Sequence, residues 1–127
     1  MAVNSTSDPV LSRFCAALDE IYGDRIERVV LFGSRARGDA HADSDYDVAV
    51  FLKELPDRWR ERHRLADLRV DFIDGTGAFF DAKPFSIAAY AERTPLMYEI
   101  RRDGLDLGSL NPRNLSNRPI LSSPAPT

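Results

Sequence analysis

The sequence predicts a single α/β (α+β) domain in which a mixed β-sheet has helices covering one face. Three observations carry this. Two short apolar runs, Val29–Phe32 and Val48–Leu52, are β-branched or aromatic and bounded by Gly or Asp, the pattern of strands. Apolar residues at helical spacing lie on either side of them, Leu11, Phe14, Leu18 and Ile21 before and Leu96, Met97 and Ile100 after. The second run is apolar on both faces beyond Asp47, as a strand inside a sheet must be.

Composition sets the limits. A chain of 127 residues, 43% hydrophobic and 29% charged, has the make-up of one soluble domain with a real core. A net charge of −3 argues against a general nucleic-acid surface. No apolar run approaches the roughly 18 residues of a membrane span. Met1–Asp8 lacks the charged and apolar regions of a signal peptide, so a cytoplasmic location is expected. One cysteine, Cys15, excludes an internal disulfide and a cysteine metal cluster.

In chain order, Ser7-Asp8-Pro9 reads as a helix start and Gly23 as its stop, with Cys15 beside the apolar stripe as a small buried residue. A strand follows over 27–32. The segment Arg35–Ser44 is a loop, in which Asp39 and Asp43 suit turns and His41 has no partner at ligand spacing. A second strand covers 46–52. Pro56–Asp67 reads as a short, mostly exposed helix. Its Arg58, Arg60, Arg62 and Arg64 are offset by Asp57, Glu61 and Asp67, which makes them a solvated face. Leu68–Ile73 reads as a third strand with Asp71 inside an apolar run, and Gly75–Lys83 as a loop whose Phe79-Phe80 is a lid or a core filler. Phe85–Tyr90 reads as a fourth strand. Thr94-Pro95 starts a last helix that Gly104 stops, and 105–107 adds a brief edge strand. The domain is expected to span 1–107, and 108–127, rich in Ser, Asn and Pro, to be a flexible or partner-binding tail.

Asp45 and Asp47 stand at i and i+2 at the mouth of the second strand, so both point one way and Tyr46 the other. Adjacent carboxylates repel unless a cation separates them, and Mg²⁺ takes one or two carboxylates and completes its shell with water and phosphates. Gly33 lacks a Cβ and lets a phosphate approach its backbone, while Ser34 offers a hydroxyl and opens a short helix. Gly33-Ser34 ends one strand and Asp45 begins the next, so both reach one nucleotide only if the strands are antiparallel. Either Arg35 or Arg37 suits a triphosphate, and Arg35 abuts Ser34. A carboxylate inside an apolar run is costly unless paired or metal-bound, which singles out Asp71 over the turn-like Asp74.

Gly33-Ser34, ten residues, then Asp45-Tyr46-Asp47 resembles the signature of the DNA polymerase beta-like nucleotidyltransferase superfamily. The wider Gly33–Gly38 and Ser44–Asp47 context is similar to its minimal nucleotidyltransferase (MNT) branch, whose members are commonly antitoxins of HEPN-domain toxins. A calcium EF-hand is excluded, because the Gly and Glu it needs are missing at the required offsets. The resemblance implies transfer of a nucleoside monophosphate, AMP from MgATP, to a hydroxyl. It implies that Asp45, Asp47 and Asp71 are the catalytic and metal residues of a two-metal Mg²⁺ site, with Asp71 as the third carboxylate on a neighbouring strand. Gly33, Ser34 and Arg35 would bind the nucleotide triphosphate. The implied partner is a HEPN-type toxin modified on a tyrosine, in a homo- or hetero-oligomer. A small-molecule (antibiotic-type) nucleotidyltransferase and a catalytically inactive, partner-binding antitoxin are the alternatives.

Overall fold

Asp8 opens the first helix as expected: its Oδ1 accepts from the backbone N–H of Val10 and of Leu11, at 3.0 and 3.1 Å, and Pro9 fills the first turn. The structure is a computed structural model that describes residues 8–40 and 44–107, so His41, Asp43 and the tail expected over 108–127 lie outside the described residues. Helix α1, Pro9–Tyr22, ends at Gly23 and buries Leu11, Phe14, Cys15, Leu18 and Tyr22. Burial pushes the Cys15 thiol up to about 12, which leaves it protonated and unreactive at neutral pH.

Four strands, β1 (Ile26–Phe32), β2 (Tyr46–Leu52), β3 (Phe80–Ser86) and β4 (Leu105–Asp106), form one mixed sheet in the order β3-β2-β1-β4. Strand β1 is antiparallel to β2 and to β4, and β2 is parallel to β3. The apolar β2 is thus central, as its two-sided pattern predicts. Three more helices complete the chain: α2 (Ser34–Arg37), α3 (Arg58–Thr76) and α4 (Pro95–Asp103).

Strand alternation divides the core in two. Val29 and Leu31 of β1, with Val48, Val50 and Leu52 of β2, face α1 and α3. Val30, Ala49 and Phe51 face Met97 and Ile100 of α4. Within the first layer Phe14 stacks on Phe80 at 4.0 Å and Phe80 on Tyr46 at 4.4 Å, with Phe72 edge-on to both phenylalanines. This aromatic column ties α1, α3, β2 and β3 together. Tyr46 Oη also donates to Asp8 Oδ2 at 2.8 Å, fastening the start of α1 to the mouth of β2. Tyr46→Phe keeps the stack and loses that bond, so it should cost about 1 kcal/mol in a denaturant titration. An unchanged midpoint would show that the Asp8 link contributes nothing.

The third strand expected over Leu68–Ile73 is instead the second half of α3. Glu61, Leu65, Leu68 and Phe72 recur at helical spacing and turn to the core, and no Gly or Pro interrupts the chain between Pro56 and Gly75. Asp57 caps the helix by accepting from Arg60 N–H at 3.1 Å, and Gly77 ends it at φ +78. The short helix and the strand read from the sequence are therefore one helix of 19 residues. The expected loop over Gly75–Lys83 is likewise displaced, because Phe80–Ser86 is strand β3. Phe80 is a core residue, whereas Phe79 stays 40% exposed. Of the expected fourth strand only Phe85 and Ser86 are strand, and Ile87–Ala91 is a 3₁₀ turn against the α4 face.

Candidate active site

The antiparallel β1–β2 pair sets Phe32 opposite Asp47, and the next residue, Gly33, comes against the Asp47 side chain. A Cβ at Gly33 would collide with Asp47 Oδ2 and lie 3.2 Å from its Cγ. Gly33 is at φ +79, ψ −158, a region essentially reserved for glycine. Its carbonyl accepts from Ala36 and Arg37 N–H, both at 3.1 Å, and so opens α2 with Ser34 as first residue. The antiparallel condition is met: the Gly-Ser corner and the Asp-x-Asp corner adjoin.

Beside them runs β3, in parallel register with β2, which places Asp81 level with Asp47. Phe51 and Phe85, four residues along each strand, stack at 5.4 Å on the same face, so Asp47 and Asp81 share that face. Asp45 is exposed at the entrance. Burial first, then the charges of Asp81, Asp45 and Glu99, raise the Asp47 carboxyl above its ordinary value, with Lys83 opposing. Lys83 Nζ pairs with Asp81 Oδ2 at 2.9 Å, and Glu99 of α4 with Arg37 of α2 at 3.5 Å. The cluster is an excess of negative charge held at the end of a rigid sheet.

Asp71 does not join it. It lies on the exposed side of α3, where a carboxylate is fully solvated and costs nothing. The signal for Asp81 was present in the sequence: Phe80, Ala82 and Pro84 alternate with Asp81, Lys83 and Phe85, a period of two. Arg35 is engaged locally. Its Nε donates to the Ser44 carbonyl at 3.0 Å and its guanidinium lies 4.0 Å over the Tyr46 ring, so it braces the loop across its base.

Among the described residues no three His, Cys, Asp or Glu side chains form a ready metal cluster. The donors nevertheless fit Mg²⁺, which needs only one or two carboxylates when phosphate oxygens and water supply the rest. Asp47 and Asp81 stand level on neighbouring strands with Asp45 beside them, a crowding of like charge that a cation would relieve.

The family model described as Polymerase beta, Nucleotidyltransferase matches residues 18–109. A Methanocaldococcus jannaschii protein named "Putative protein adenylyltransferase MJ1305" is 40% identical over 65 residues, covering 50% of this chain and 44% of that protein. The chain thus spans less than half the length of that relative. Among solved structures, a chain of a toxin–antitoxin crystal structure with AMP-PNP is similar at TM-score 0.53 and 21% identity, over 76% of this chain and 71% of that one. A chain of the toxin–antitoxin MntA-HpeT is similar at TM-score 0.52 and 18% identity, over 83% and 73%. At these identities the likeness is one of fold. No helix among the described residues is long and apolar enough to cross a membrane.

Proposed function

The chain belongs to the polymerase beta nucleotidyltransferase family, and from that premise we propose that it transfers AMP from MgATP to a hydroxyl of a partner protein, as the antitoxin of a toxin–antitoxin pair of the HEPN/MNT kind. The observation that carries this reading is the in-register pair Asp47–Asp81 with Gly33 packed against Asp47.

The Gly33 and Ser34 corner receives the β- and γ-phosphates. The Asp47 side chain fills the place a Cβ at Gly33 would take, so only glycine lets this corner and that carboxylate lie side by side. Asp45 and Asp47 face the triphosphate, and Asp81, on the neighbouring strand, takes the part that the resemblance gives to a third carboxylate. These carboxylates would hold Mg²⁺, which would supply charge neutralisation of the phosphates and of the leaving pyrophosphate. The acceptor oxygen forms a bond to the α-phosphorus, the α–β anhydride bond breaks, and the acceptor proton passes to an Asp81 carboxylate oxygen. Positioning and charge carry most of such a transfer.

A protein acceptor is supported by the name of the Methanocaldococcus jannaschii relative, and a toxin partner by the toxin–antitoxin neighbours. The test uses purified protein, Mg²⁺, α-labelled ATP and the product of the adjacent gene, with Asp47→Asn as control. Label on that product only with the unchanged chain is the expected result. Tight binding with no label would make the chain a contact-only module.

A further inference from the structure

Helix α3 has two apolar sides. One, with Leu65, Leu68 and Phe72, is in the core. The other carries Trp59, Ala66, Val70 and Ile73 at i, i+7, i+11 and i+14, one continuous ridge on the solvent side. Trp59 is 74% and Val70 54% exposed, values that core packing cannot account for. Arg62 and Arg69 form a row beside this ridge, between it and β3. Neither makes an ion pair among the described residues, and their guanidinium groups lie over the exposed Trp59 and Phe79 rings, at 6.0 and 5.2 Å.

Below that row a cleft of about 250 Å³ separates α3 from β3, lined by Arg62, Arg69, Asp81 and Lys83 among others. Because Lys83 is paired with Asp81, the two arginines leave the cleft with uncompensated positive charge, on a chain whose net charge is −3. Ridge, arginine row and cleft therefore form one surface bounded by the edge strand β3, whose Ala82 faces α3 while the Asp81 side chain lies on the other face of the sheet with Asp47.

We propose that this surface docks the acceptor polypeptide through an acidic segment, whose apolar side chains lie on the α3 ridge and whose carboxylates meet Arg62 and Arg69. The inference rests on the nucleotidyltransferase reading, since it takes the docked polypeptide to be the acceptor of that reaction. Charge complementarity selects the segment, and apolar burial against Trp59 and Val70 holds it.

Trp59 is the only tryptophan and sits on the ridge, so its fluorescence reports docking directly. The probes are a Glu/Tyr copolymer and a Lys/Tyr copolymer, titrated into the full chain. We expect a saturable Trp59 shift with the Glu/Tyr polymer only, weakened by salt. In Arg62→Glu/Arg69→Glu, with circular dichroism unchanged, binding should weaken at least about tenfold. Equal response to both polymers, no response to either, or undiminished binding by the charge-reversed variant would overturn the proposal. So would a Trp59 shift that follows protein concentration alone, since a second copy of the chain would then cover the ridge. Labelled ATP in the same mixtures separates the two readings. Docking without label retires nucleotide transfer and leaves the docking surface standing, whereas label on the Glu/Tyr polymer undiminished by charge reversal retires the surface alone.

Discussion

Gly33→Ala should lower nucleotide transfer at least about 100-fold, equivalent to roughly 2.7 kcal/mol of transition-state stabilisation. Two effects add. The backbone at φ +79, ψ −158 is one that side chains avoid, at a cost of about 1–3 kcal/mol. The new Cβ also meets Asp47 Oδ2, with Cγ and Cβ of the same side chain at 3.2 and 3.4 Å, so either the corner or the carboxylate must move. Movement of either separates the phosphate cradle from the acid it serves. Gly38→Ala is the control. Gly38 has φ +86 and ψ 10, an ordinary left-handed position, and a Cβ there meets nothing within 4 Å. That change should cost about 1 kcal/mol of stability and leave transfer within about twofold of normal. Initial rates with labelled ATP and thermal unfolding of both variants check this. Normal transfer by Gly33→Ala would remove the corner from the nucleotide site.

What was legible in the sequence follows from where one kind of signal stood alone. The Gly33-Ser34 and Asp45-Tyr46-Asp47 corners each join a break to a run of β-branched or aromatic residues, so strand, turn and chemistry agree. The antiparallel condition followed from geometry, since a shared ligand requires it. Residues 56–76 carried conflicting signals. Arg and Glu at nearly every other position hid the core spacing Glu61-Leu65-Leu68-Phe72, and Leu68-Val70-Phe72 imitated a strand. Glu61 completes that core face despite its charge, because Arg25 reaches it at 3.3 Å and Arg64 at 3.7 Å. A buried carboxylate with such partners reads from sequence as a surface residue. Reading α3 as a helix and a strand places the third carboxylate at Asp71. Strand β3 contains Pro84, which an edge strand tolerates.

Exchanging the carboxylates one at a time should separate the two candidates for that third position decisively. Asp47→Asn and Asp81→Asn should each lower transfer by about 10³-fold or more, since each removes charge where the phosphates and the acceptor proton need it. Asp71→Asn, on the solvated side of α3, should leave transfer within about twofold. Stability adds a signature that loss of activity alone lacks. The native state holds the Asp47 proton more tightly than the unfolded chain, whose aspartates titrate near about 3.9. Without Mg²⁺, stability must therefore fall as pH rises from that value through the raised native one, and above it the ionised Asp47 opposes folding. Asp47→Asn removes the penalty, so at neutral pH in chelator it should melt a few degrees higher than the unchanged chain, the two converging as pH falls towards about 4. Mg²⁺ with ATP should reverse the order, stabilising the unchanged chain and not the variant, because ligand that binds only the native state raises its melting point. Melting curves that stay parallel across pH would show that the Asp47 carboxyl is unperturbed. A variant that loses transfer yet still gains stability from Mg²⁺ and ATP would move the metal from Asp47 to the carboxylates beside it.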